Sequence, residues 1–242
     1  MTRRRARPAA LAGTALLTLT GPALAGCASA NHDSASRATA IPSATTPSSS
    51  ASTAIANHYR LTTPDTILDG RYKMAPGENK DKDVAADQLS RATLLLGVTN
   101  GQRVHAVYTT ELRKDMSFTG IWGRVEDPER SVDMLFLSSA TAARKDKRLS
   151  TFTWSGSPQR LTPEGLDKDT VLKCQGTRFT FSDTDDKPTH IRTLCAWADH
   201  DTVGTVSLAD ASFARYGRDI PLDRAAELTA GLRHDARTAV SR

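Results

Sequence analysis

The chain has 242 residues, with 32 Lys+Arg against 27 Asp+Glu and a sequence pI near 9.3. The basic excess sits at one end. Arg3, Arg4, Arg5 and Arg7 lie within residues 1–26, which hold no acid, so the rest carries 28 basic against 27 acidic side chains. That near-neutral balance, with 5% aromatic residues, lacks the clustered positive charge and stacking platforms of a nucleic-acid binder, and this class is set aside.

Residues 1–27 have the three parts of an export signal. The arginines form a charged start, residues 9–25 are uncharged and rich in Ala, Leu and Thr, and small residues precede Cys27. The apolar part is short for a membrane-spanning helix, and no stop-transfer flank follows it. Leu24-Ala25-Gly26-Cys27 resembles the bacterial lipobox. The resemblance implies that Cys27 receives a diacylglyceryl group, that the chain is cut before it, and that the new amino group can be acylated, as with palmitate. Two or three acyl chains anchor a protein firmly where one alone is marginal. The expected address is therefore the outer face of the cell membrane, with residues 1–26 removed.

Residues 28–57 are Ser, Thr, Ala and Pro with almost no large apolar side chain. Such a stretch cannot bury enough surface to offset its ordering entropy, so residues 27–57 are expected to be a disordered tether. About thirty residues of flexible chain reach roughly 30 Å on average and about 100 Å at full stretch. What remains, residues 58–242, is one domain of about 185 residues, long enough for a real core.

Within it, residues 59–63 predict a short strand and residues 70–82 a polar loop. A helix over 84–96 is expected from the stripe Ala85, Leu89, Ala92 and Leu96, with Gly97 as its stop. Residues 103–109 alternate, with Val104, Ala106 and Tyr108 on one face, and predict a strand. A second is expected over 117–124, where Gly120 and Gly123 point to a bulge or a close neighbour. Asp127-Pro128 is a helix start, with Val132, Leu135 and Phe136 facing inward and the helix fading over 142–145. Residues 151–154 predict a short strand, and 155–169 are rich in turn residues.

Residues 171–181, 189–198 and 203–208 read as three strands of an antiparallel meander placed at the sheet's centre. If the first turn centres between residues 184 and 185, partners across it sum to 369, which pairs residue 174 with residue 195. Cys174 and Cys195 are an even pair in an exported chain, so a disulfide is the default. A metal site is the rival reading, with no CxxC or HxxxH nearby to support it. A final helix over 221–238 carries the stripe Ala225, Leu228, Leu232 and Ala236, with Arg224, Glu227 and His234 on its polar side. The fold class expected is α+β, a mostly antiparallel sheet of five to seven strands with two or three helices on one face and one disulfide.

The segments Cys195-Ala196-Trp197-Ala198-Asp199 and Thr202-Val203-Gly204-Thr205-Val206 resemble those of a group of actinobacterial envelope proteins. These pair a lipobox or membrane anchor with a Ser/Thr-rich tether and a small extracytoplasmic domain. The resemblance implies a Cys174–Cys195 disulfide and a surface location. It implies no activity.

Few residues invite chemistry. His200 between Asp199 and Asp201 is a candidate base or metal ligand, but three consecutive residues at a hairpin tip are better read as turn residues. Asp183, Asp185 and Asp186 lack the Gly and distant Glu of a calcium loop and read as a solvated turn. Trp197 is expected in the core beside the disulfide, with a binding face formed by Trp197, Asp199 and His200 as the alternative. No nucleophile elbow, HExxH, phosphate loop or dinucleotide fingerprint occurs. The leading expectation is a lipid-anchored, monomeric surface protein that binds or senses an envelope protein or small ligand without catalysis, cofactor or metal. The alternative is an envelope hydrolase or metal-dependent enzyme using His200 and nearby carboxylates.

Overall fold

The computed structural model describes residues 58–77, 86–182 and 188–240. The signal, Cys27 and the tether lie outside the described residues, as do Glu78 to Lys82 of the polar loop, Ala85 of the first helix stripe, and Asp183, Asp185 and Asp186. In chain order the elements are β1 (His58–Leu61), β2 (Thr66–Ile67), β3 (Tyr72–Met74), α1 (Ala86–Leu96), β4 (Val98–Thr109), β5 (Lys114–Val125) and α2 (Pro128–Lys145). They continue with β6 (Leu149–Arg160), β7 (Val171–Phe181), β8 (His190–Ala198), β9 (Thr202–Asp210), α3 (Ala211–Ala214), α4 (Leu222–Ala236) and β10 (Arg237–Val240).

The fold is α+β. Eight strands form one antiparallel sheet in the order β2-β3-β4-β5-β9-β8-β7-β6, and β1 pairs with β10 in a separate two-stranded ribbon. The meander β7-β8-β9 is present, and Cys174 pairs with Cys195 in register and by a disulfide, with Cα atoms 4.1 Å apart. The register runs from Val171 opposite Ala198 to Phe179 opposite His190. The sheet's midpoint is the β5–β9 pair rather than the meander, because β9 runs on to join the earlier strands.

Alternation sends the two sides of β8 to two cores. Cys195 and Trp197 join Leu172, Phe118, Val206 and the stripe Ala225, Leu228, Leu232 and Ala236 of α4. Ala196 and Ala198 join Val132 and Phe136 of α2 and Leu96 of α1 on the opposite side. Two helices thus share one face, as expected, and α4 covers the other. Such double coverage explains why four consecutive residues of β8, Cys195 to Ala198, are all buried.

Local signals place the helices. Gly97 ends α1 with φ of 65°. Asp127 caps α2 by accepting from the Arg130 amide at 3.0 Å. The Ser131 hydroxyl donates to the Leu96 carbonyl at 2.6 Å and joins the two helices. A Cβ on Gly120 would stand 2.5 Å from Leu61, where the β1–β10 ribbon crosses β5.

Several boundaries differ from the sequence reading. Residues 72–74, expected in a loop, are a sheet strand. The strand at 151–154 extends to Leu149–Arg160 despite Pro158, because β6 is an edge strand whose register shifts between Ser155 and Gln159. The last helix stops at Ala236, and Arg237–Val240 turns back to pair with β1.

Candidate functional site

Trp197 is fully buried, so it is core and not part of a binding face. Its ring stacks on Phe118 with centroids 5.6 Å apart, and its Nε1 donates to the Thr202 hydroxyl at 3.3 Å. Asp199 is also buried, at 6% exposed, which removes it from a binding face too. Its Oδ1 accepts from the amides of Asp201 and Thr202 at 2.9 and 2.8 Å, a side-chain-closed turn. Its Oδ2 accepts from the Thr202 hydroxyl at 2.7 Å and from Arg233 Nη2 at 2.8 Å.

Arg233 is 3% exposed and is the hub of a polar network. Besides Asp199, its Nη2 donates to Asp167 at 2.8 Å and to Thr170 at 2.9 Å. Arg237 reaches the same Asp167 oxygen at 2.5 Å and lies over the Tyr59 ring, 3.6 Å from its centroid. The Asp167 carboxyl is held below the usual range by hydrogen bonds from Arg233 and then Arg237. This network fastens the β8–β9 turn and the 161–170 connection to α4. It was not legible in the sequence, since its hydrogen-bonded members are up to 70 residues apart.

His200 is exposed at the turn. It lines a shallow depression of about 660 Å³ with His58, Tyr59, Trp122 and Asp201. The flanking carboxylates do not converge on it. Asp199 points to Arg233, and Asp201 accepts from the Tyr59 amide at 3.3 Å and lies 2.9 Å from His58 Nδ1. No Ser, Thr or Cys lines the depression among the described residues. Nor, among them, does any group of three His, Cys, Asp or Glu side chains gather as metal ligands would.

The larger concavity lies elsewhere, along the outer face of α4. A cleft of about 740 Å³ separates α4 from the turn after β2 and from residues 160–165. Arg224, Glu227 and His234, the polar-side residues expected for this helix, all line it. Leu68 packs so close to α4 that a Cβ on Gly231 would be 2.3 Å from its Cδ2, and the Leu68 amide donates to Asp235 at 2.6 Å. A second cavity of about 430 Å³ continues from the cleft across Arg71, Arg224 and Leu228 to the β4–β5 hairpin tip.

Arranged this way, the molecule offers clefts for recognition and no assembled nucleophile, base and acid among its described residues. Comparison with protein-family models, with curated proteins and with solved structures finds no match.

Proposed function

We propose that this chain is a surface lipoprotein, anchored through lipid on Cys27, held off the membrane by residues 28–57, and serving as a non-catalytic module that binds or senses a small ligand or an envelope protein. The observation that carries the reading is the order of features at the start of the chain: arginines, apolar run, Leu24-Ala25-Gly26-Cys27, and then a long stretch poor in apolar residues. The clefts beside α4 support the binding part, because polar and apolar groups converge there in a volume suited to a small ligand. The geometry favours binding over a hydrolase centred on His200, whose neighbouring carboxylates are engaged elsewhere.

The test is metabolic labelling with an alkyne fatty acid, followed by membrane fractionation, of the natural chain and Cys27→Ala. Label and membrane retention should both be lost in the variant. A labelled, membrane-bound Cys27→Ala protein overturns the anchor.

A further inference from the structure

The sheet face under α1 and α2 is incompletely covered. A groove of about 340 Å³ runs between the two helices, lined by Leu89, Ala92 and Leu95 of α1, by Leu135 of α2 and by Ile121 of β5. The apolar stripes of both helices lead into it, and they are not fully closed off. Leu89, Ala92 and Leu135 are only half-buried, and Leu95 is 39% exposed. In a packed core such side chains meet protein atoms on every side. Here they meet a cavity, whose volume is at the lower end of those that hold small ligands.

The charge around the groove is a second observation. Among the described residues that line it, Arg103 is the one charged side chain, and no acid is present. Strand pairing sets Arg103 opposite Ile121 and His105 opposite Thr119, so Arg103, Thr119 and Ile121 share the sheet face under the helices. All three line the groove, as that register requires. Arg91 of α1 is exposed and stands one turn before Leu95 on the same stripe. Beside apolar walls a guanidinium attracts an anion more strongly than in open water, and it repels a cation. A ligand that matches both features has an unbranched apolar body and one anionic end. The volume suits one such chain rather than the two of a phospholipid.

We propose that this groove binds a free long-chain fatty acid, its chain lying between α1 and α2 and its carboxylate paired with Arg103. The proposal rests on the binding-module reading and gives that module a ligand class, at a site on the opposite face of the sheet from the α4 clefts. It makes no use of the lipid on Cys27, so its failure leaves both the anchor and the α4 clefts standing.

The experiment is photolabelling of the full-length chain, held in phosphatidylcholine vesicles, with a diazirine-bearing hexadecanoic acid, the adducts being mapped by peptide mass spectrometry. The matching diazirine alcohol and a diazirine phosphatidylcholine are the comparison arms. The acid should label the peptides of α1 and α2, excess palmitate should displace it, and the alcohol should label these peptides about tenfold less. Arg103→Gln should lower labelling by the acid about tenfold and leave the alcohol unchanged. Ala92→Phe, which fills the groove, should lower labelling by both. Adducts only outside α1 and α2, labelling that palmitate does not displace, or unchanged labelling in Ala92→Phe would each overturn the groove. Equal labelling by the alcohol, or no effect of Arg103→Gln, would overturn the pairing with Arg103. Stronger labelling by the phospholipid than by the acid would overturn the free fatty acid as occupant.

Discussion

The six-membered ring of Trp197 fills the space where a side chain on Gly204, its partner across β8 and β9, would stand. A Cβ there would lie 2.4 Å from two ring carbons. The Trp-x₆-Gly spacing is therefore one packing unit. The indole lies over a bare backbone and stacks on Phe118, and its Nε1 points to Thr202 at the turn.

Gly204→Ala should accordingly act as an overpacking substitution, costing about 2–3 kcal/mol by urea unfolding. The displaced atoms belong to a rigid, fully buried ring that has no easy escape. A change below about 0.5 kcal/mol, in the range of an ordinary surface substitution, would show that the ring is not seated there.

Asp199 and Arg233 form a nearly solvent-free ion pair; removing Arg233 strands the buried Asp199 carboxylate, and removing Asp199 leaves Arg233 with Asp167 as its remaining carboxylate. Arg233→Met should cost about 3–5 kcal/mol, and Asp199→Ala a similar amount. In the double variant the losses should fall well short of additive, because the stranded charge is gone. Strict additivity in a double-mutant cycle would show that the pair does not couple.

Reduction of the Cys174–Cys195 bond should lower stability by roughly 3 kcal/mol on the chain-entropy account for a loop of this length. Thermal unfolding of the full chain with and without reductant checks it. Two free thiols in the untreated protein would contradict the bond itself.

Stability should fall at both ends of the pH scale. The carboxyls of Asp167 and Glu129 are held below the usual range, by hydrogen bonds from Arg233 and Arg237 and from Lys173 respectively. The unfolded chain takes up those protons first, near pH ~4, so the stability these pairs give is complete above that pH and is lost as pH drops through the lower folded values. Tyr72 runs the other way. Its folded pKa is raised, chiefly by burial, so ionisation of the unfolded chain above pH ~10 draws stability away. In unfolding curves across pH, Asp167→Asn should be weaker than the natural chain at pH 7 and converge with it in acid. Tyr72→Phe should lessen the alkaline loss. Parallel curves for either variant would contradict the assignment.

Features that depend only on neighbours along the chain were legible from the residues alone. Gly97 ended α1, Asp127-Pro128 began α2, and the alternation of residues 171–208 produced the meander with Cys174 opposite Cys195. Asp199 and Thr202 closed their turn for the same local reason. Tertiary structure decided whatever required distant segments to meet. Only the joining of β9 to β5 could make one eight-stranded sheet, and only pairing with β1 could turn Arg237 and Thr238 from the expected helix end to strand. Asp199 was drawn away from His200 by Arg233, 34 residues on. The cavity of Arg71, Tyr72, Lys73 and Arg224 likewise brings the turn after β2 against α4, two segments that share no local pattern, because α4 must cover its apolar stripe and so carries its polar edge to that turn.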